Sequence, residues 1–137
     1  PHDPIPQQPL AAKPWSVAVS PAGSAQTIAS AQWNGEIELY EAASGKLLER
    51  WPGSGSTRPI EISPQSRFVA GYSTVTGLTL YKRQAARASG SQEGQSLWSH
   101  LGARVRCLKF SQDEKLILAA FDDGLLRAWS TQSGELL

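Results

Sequence analysis

The sequence contains one cysteine, Cys107, and no methionine. A single thiol excludes an internal disulfide framework and a zinc site built from several cysteines. It fits a reducing compartment, so we expect a cytoplasmic protein, with an exported protein as the open alternative. Because Pro1 is not a translation start, the N-terminus indicates a processed chain or the edge of a longer one.

Long apolar runs and an excess of one charge are also missing. No run approaches the roughly 18 apolar residues that are typical of a transmembrane helix. Thirteen basic and twelve acidic residues give a net charge of +1, whereas a nucleic-acid-binding domain carries a basic excess on one face. With 40% hydrophobic and 18% charged residues in a chain of 137, we expect one globular domain.

The apolar residues that are present occur in short runs. These runs are rich in Val, Ile, Leu and aromatic residues, alternate with polar residues, and are interrupted by Gly, Pro, Ser, Asn and Asp. This pattern is typical of half-buried β-strands joined by turns. No stretch keeps the spacing of a core-facing helix over three turns, so the predicted fold class is all-β.

The chain repeats itself. The stretch WNGEIELYEAASGKLL at 33–48 returns as FDDGLLRAWSTQSGELL at 121–137, and both Tyr40–Trp129 and Gly45–Gly134 are separated by 89 residues. Half of that spacing predicts a middle copy, and Tyr81 is the aromatic residue of that copy. A serine opens the first turn of each copy: Ser20, Ser63 and Ser111. Counted from this serine, the aromatic residue follows after 20, 18 and 18 residues, so the first copy has two extra residues in its first turn.

Each copy predicts four strands in roughly 44 residues, which is the unit of a β-propeller blade. We place the copies at 15–56, 57–99 and 100–137. A proline-rich segment, 1–14, is predicted to be extended, and 85–94 is predicted to be an inserted loop between the third and fourth strands of the second copy.

The stretch VRCLKFSQDEKLILAAFDDGLLRAWSTQSGELL resembles a WD-repeat blade along its whole length. The resemblance implies a WD-repeat-like β-propeller fragment of roughly three four-stranded antiparallel blades. It also implies structural roles for members of the family's buried hydrogen-bond chain. In the third copy these are His100, Asp123 and Trp129, with Ala119 where the family has a hydroxyl. The first copy offers Ser30 and Tyr40, and the second retains Tyr81.

The residues that carry chemistry do not indicate an enzyme. The sequence has no G-x-S-x-G motif, and Cys107 falls on a predicted strand, where a structural thiol is the simpler interpretation. Asp122 and Asp123 are adjacent in a hairpin turn and point in different directions, so they do not converge on one substrate atom. No His, Cys, Asp or Glu cluster has metal-ligand spacing, and no motif predicts a cofactor.

Three blades cannot close a ring, because closure takes about four to eight. We therefore expect further blades or another subunit to cover the open blade faces. The predicted function is a non-catalytic protein-interaction scaffold that uses its loops, without membrane or nucleic-acid partners. The candidate contact residues are Trp33, Asn34, Ser73, Thr74, Arg104 and Asp122. Two alternatives stay open: an architectural part of a subunit in a multiprotein complex, and a ligand-sensing or enzymatic propeller whose site lies in other blades.

Overall fold

The computed structural model describes residues 14–20, 26–53, 55–83 and 96–137, and these residues form strands and turns without a helix. The strands are β1 (Pro14–Val19), β2 (Thr27–Gln32), β3 (Ile37–Glu41), β4 (Leu47–Trp51), β5 (Thr57–Ile62), β6 (Phe68–Ser73), β7 (Gly77–Lys82), β8 (Ser96–His100), β9 (Val105–Phe110), β10 (Leu116–Phe121) and β11 (Leu126–Ser130). They build a first sheet from β1 to β4, a second from β5 to β8 and a third from β9 to β11, with neighbouring strands antiparallel. A bridge between Trp129 and Leu136 extends the third sheet. The all-β prediction is confirmed.

The serine that opens each copy has the same contacts in all three sheets. The Ser20 hydroxyl accepts the N–H of Thr27 at 2.8 Å. The equivalent bonds, from Phe68 to Ser63 and from Leu116 to Ser111, are both 3.0 Å. The hydroxyl satisfies a backbone donor that the turn would otherwise leave unpaired. The first of these turns joins residues seven apart and the other two join residues five apart, which agrees with the two extra residues expected from the sequence.

The turns between the second and third strands also share a feature, a side chain that accepts a backbone N–H of the same turn. The side chains of Asn34 and Asp123 accept the backbone N–H two residues further on, at 3.0 Å in both turns. Gly35 and Gly124 follow with φ of 92° and 84°, a conformation that is costly for residues with a Cβ. In the second sheet Ser73 accepts the N–H of Val75 at 3.0 Å instead. Side-chain chemistry therefore fixes all three turns.

The sheets stack through their faces, with their first strands side by side. Strand β1 contacts β5, and β5 contacts β9, so the first strand of each sheet is the innermost. Apolar side chains fill the two spaces between the sheets. The cluster between the first and second sheets contains Ala29, Ala31, Ile37, Leu39, Trp51, Ile60, Ile62, Val69 and Tyr81. The cluster between the second and third contains Ala70, Tyr72, Leu78, Leu80, Val105, Leu108, Ile117, Ala119, Phe121 and Trp129.

Parts of the predicted organisation stay untested. The inserted loop 85–94 and the proline-rich segment 1–14, apart from Pro14, lie outside the described residues, and the boundaries 15–56, 57–99 and 100–137 remain a prediction. One residue lies elsewhere than expected. His100 ends β8 opposite Leu78, so it belongs to the second sheet and does not lead into the third.

Gly124 and Gly134 offer a matched test of this stacking. Both have positive φ, at 84° and 74°. A Cβ on Gly124 would meet open space, whereas one on Gly134 would lie 2.9 Å from the Trp98 ring of the second sheet. We expect Gly124→Ala to lower the free energy of unfolding by about 1 kcal/mol through backbone strain alone. Gly134→Ala adds an inter-sheet clash and should cost at least about 1 kcal/mol more. Urea unfolding followed by tryptophan fluorescence measures both, and equal losses would contradict the close contact.

Candidate interaction surface

One rim of the stacked sheets carries most of the predicted contact residues. It is formed by the turns between second and third strands and by the links from one sheet to the next, and we call it the loop rim. These loops touch in order along the rim. A side chain at Gly35 would collide with the Gly55 carbonyl, and one at Gly55 would lie 2.8 Å from Val75. Further along, the Asp122 N–H donates to the Arg104 carbonyl at 2.8 Å.

Trp33 lies at the first-sheet end of the loop rim and is 56% exposed. Trp15, at the start of β1, is 41% exposed and meets Trp33 edge to face, with ring centroids 4.5 Å apart. The Arg58 guanidinium lies 5.5 Å from the Trp15 ring centroid, within the range of a cation–π contact. We call these three residues the tryptophan patch. It combines a large solvent-exposed apolar area with a positive charge.

The other predicted contact residues are distributed along the rim. Asn34 and Thr74 are exposed in the first and second turns. Asp122 is exposed in the third turn, where it pairs with Arg106 at 3.1 Å, and Arg104 is exposed in the link before β9. Ser73 is only 4% exposed, because its hydroxyl is turned inward to bind the turn backbone. The structure therefore places five of the six side chains at the surface and buries Ser73.

The sequence carries a signal for three further residues on this rim that are not among the predicted contact residues. Trp15, Arg58 and Arg106 each lie five residues before the repeated serine. They therefore take equivalent places near the start of the innermost strands β1, β5 and β9. The spacing of five residues before the serine is thus a signal that identifies Trp15 and Arg58 as neighbours of the rim, which Trp33 alone does not indicate.

The residues given structural roles are ordered differently from the family's hydrogen-bond chain. The His100 ring nitrogen Nε2 bonds the Gly134 carbonyl at 2.7 Å, and its ring stacks near Trp129 at 6.0 Å. Asp123 instead pairs with Arg127 at 2.9 Å. This hydrogen bond, followed by that from the Leu125 N–H, lowers the pKa of Asp123. The expected His100–Asp123–Trp129 chain is not formed, because His100 reaches across to the turn after β11.

The first sheet has a polar network on the face turned away from the second. Glu38 is buried and accepts hydrogen bonds from Gln32 at 3.0 Å and from Arg50 at 2.9 Å. Gln32 also donates to the Ser30 hydroxyl at 3.1 Å. Tyr40 lies beside Glu38, and burial followed by the Glu38 charge raises its pKa to about 12. Ser30 and Tyr40 thus contribute to a network centred on Glu38.

The described residues contain no group of three or more His, Cys, Asp or Glu side chains that could hold a metal ion. They also contain no helix long and apolar enough to cross a membrane. Cys107 lies on β9 as predicted, but its side chain is exposed because it alternates away from the buried Leu108. Asp122 and Asp123 pair with Arg106 and Arg127 respectively, so the two carboxylates do not converge.

Antiparallel sheets that stack face to face around their first strands are the blades of a β-propeller. Comparison with known proteins supports the assignment of these sheets as β-propeller blades. The WD domain, G-beta repeat family matches residues 91–130. Eukaryotic translation initiation factor 3 subunit I of Phaeosphaeria nodorum is 28% identical over 131 residues, which are 90% of this chain and 38% of that protein. NACHT domain- and WD repeat-containing protein 1 of Mus musculus is 27% identical over 104 residues, 76% of this chain and 6% of that protein.

The resemblance of the third copy to a WD-repeat blade is confirmed, because the family model matches this part of the chain. The chain spans less than two fifths of the length of the first of these relatives and a small part of the second.

The tyrosines provide a pH test of the first sheet and of the sheet interface. The pKa is raised to about 12 for Tyr40, by burial and Glu38, and for Tyr81, by burial. Since the unfolded chain releases these protons near pH 10, the contribution of the two tyrosines to folded stability should be constant between neutral pH and pH 10 and should be lost between about pH 10 and 12. Chemical unfolding across this range measures the loss.

Absorbance of the phenolate form shows which tyrosine causes the loss of stability at alkaline pH. Tyr40→Phe and Tyr81→Phe should each remove one phenol that titrates near pH 12 and reduce the alkaline loss of stability. A folded protein in which either phenol titrates at its ordinary pKa, near 10, would contradict the environment described for it.

Proposed function

We propose that this chain is a non-catalytic scaffold that binds protein partners through the loop rim. The tryptophan patch is the observation that carries the proposal. Exposed tryptophans are frequent centres of binding energy in protein interfaces, and arginine is enriched beside them. A soluble surface does not need two adjacent exposed tryptophans for folding, so their place on the rim is best explained by a partner.

The fold supports this function because the loops are ordered before a partner arrives. Hydrogen bonds from Asn34, Ser73 and Asp123 close the three turns on the rim. Binding then loses little conformational entropy, which leaves more of the contact energy as affinity. The proposed contact residues are Trp33, Asn34, Thr74, Arg104 and Asp122. The proposal includes a cytoplasmic location, which the single free thiol favours.

A substitution in the tryptophan patch tests the proposal. Trp33→Ala should weaken partner binding by about thirtyfold or more, the range of an interface hot spot, without changing the unfolding transition. The matched control is Val19→Ala, which removes an equally exposed apolar side chain from the far end of β1. Affinity capture with each immobilised chain, quantified by mass spectrometry, compares them. Recovery of the same partners in the same amounts with Trp33→Ala and with wild type would refute the proposal.

A second candidate function is an architectural role in a multiprotein complex. It is supported by the similarity to a protein named as a subunit, which this chain matches over 90% of its own length. It also accounts for the outer face of the third sheet, where Leu118 and Ala120 lie beside Leu126, which is 70% exposed. In this proposal further blades or another subunit cover that face permanently.

Covering of the third sheet is testable by light scattering. If its outer face requires a partner, the isolated chain should associate, with a mass above the 14.8 kDa of one chain. Leu126→Asp should shift it towards one chain, because a charge on that face resists burial. The control is Leu101→Asp, at an equally exposed leucine on the loop rim. A soluble monomer over a wide range of concentrations would contradict the architectural role.

A further inference from the structure

A groove of about 450 Å³ lies on the rim opposite the loop rim, between the second and third sheets. Its volume is within the range of protein binding sites. The second sheet contributes one wall and the turns that flank β10 and β11 contribute the other. The lining residues are Arg67, Phe68, Lys82, Leu97, Asp113, Glu114, Lys115, Ser130, Thr131 and Gln132.

The floor of the groove is fixed by buried contacts across the two sheets. Glu114 is 3% exposed and lies in the left-handed region, with φ of 63°. Its carboxylate accepts the Gln65 N–H at 2.9 Å and pairs with Arg67 at 3.2 Å. The Thr131 hydroxyl donates to the Glu114 carbonyl at 2.6 Å, and the indole N–H of Trp98 donates to the Thr131 carbonyl at 3.0 Å. A ligand would therefore meet a preformed surface.

The mouth of the groove carries one positive charge in excess. The Arg67 charge is matched by Glu114, but Lys82 and Lys115 are exposed, and neither forms an ion pair with a carboxylate of the described residues. Asp113 is bound within its own turn, where it accepts the Ser111 hydroxyl at 2.7 Å and the Lys115 N–H at 2.9 Å. Asp113 keeps its negative charge, so Lys82 and Lys115 leave an excess of one positive charge at the mouth, which suits a partner with a single carboxylate.

The groove also has an apolar wall. Leu97 is exposed on β8, and Phe68 is half-buried at the start of β6, where its ring stacks with Phe110 at 6.3 Å. A ligand that used the lysines alone would leave this wall in contact with water. A ligand with an apolar side chain beside its carboxylate would satisfy both features.

We propose that this groove binds a short acidic segment of a protein partner, in which an aspartate or glutamate lies next to an aliphatic or aromatic residue. The carboxylate pairs with Lys82 and Lys115, and the apolar side chain packs on Leu97 and Phe68. Asp113 and Glu114 disfavour a polyphosphate backbone, and the net charge of +1 does not provide the basic excess that nucleic acid requires. The site is independent of the proposed function, because it lies on the opposite rim.

Peptide pools test the proposal on the intact 137-residue chain. One pool contains eight-residue peptides randomised over aspartate, glutamate, leucine and phenylalanine. A second replaces the acids with lysine and arginine, and a third keeps the acids but replaces the apolar residues with serine and asparagine. The immobilised chain should retain the first pool at least about tenfold over each of the others.

Variants then locate the binding. Lys82→Glu combined with Lys115→Glu should reduce retention of the first pool about tenfold or more, and Leu97→Ser should reduce it severalfold. Lys46→Glu and Leu101→Ser are the matched controls, because both are exposed outside the groove, and they should have no effect. Unchanged circular dichroism and urea midpoint verify folding of every variant.

Three outcomes would overturn the proposal. They are equal retention of the three pools, a preference for the basic pool, and unchanged acidic binding in the folded double lysine variant. Saturable binding of a single-stranded oligonucleotide that competes with the first pool at equal concentration would also count against it.

Discussion

Burial of apolar surface between neighbouring sheets is the interaction on which the rest of this structure depends. An isolated four-stranded sheet has two broad faces and cannot remove both from water. In this chain the second sheet contacts a neighbour on each side, so Ile60 and Val69 are buried on one face while Ala70 and Leu80 are buried on the other. The turns and rims described above are held in place by this stacking, because the innermost strands β1, β5 and β9 keep a fixed order. The display of rigid loops is therefore a consequence of core packing.

The two outer faces of the stack differ in chemistry, although the repeats that build them are similar. The outer face of the first sheet carries a polar network centred on the buried Glu38, in which the Gln32 side-chain oxygen has no hydrogen-bond partner among the described residues. The third sheet exposes leucines and alanines. An apolar neighbour that packs well on the third sheet would leave the polar groups of the first sheet without hydrogen-bond partners. Two copies that stacked head to tail would oppose these two faces directly, so a specific neighbour for each face is the better match.

Much of the fold could be predicted because the repeat is encoded by local chemistry. A serine that caps the first turn and an aromatic residue on the third strand recur in all three copies, and an Asx–Gly pair recurs in the first and third. The serine and the Asx side chain each bind the backbone of their own turn. His100 could not be placed in the same way. Its position in the sequence suggested a role within the third repeat, but strand pairing with Leu78 assigns it to the second sheet and directs its ring to Gly134.

The candidate sites were harder to predict for the same physical reason. Trp33 could be selected from its place in a turn, but the patch also requires Trp15 and Arg58. Trp15 lies beside Trp33 because β1 pairs with β2, and Arg58 approaches because β5 packs beside β1. The groove on the opposite rim depends on Leu97 of one sheet and Lys115 of the next, so no single repeat contains its pattern. Ser73 could be selected from its place in a turn, but its hydroxyl binds the backbone N–H of Val75 in that turn and does not face a partner. In a stacked repeat protein, local sequence therefore defines the blade, whereas the surfaces that bind are assembled between blades. Their chemistry becomes visible only when the lateral neighbours are known.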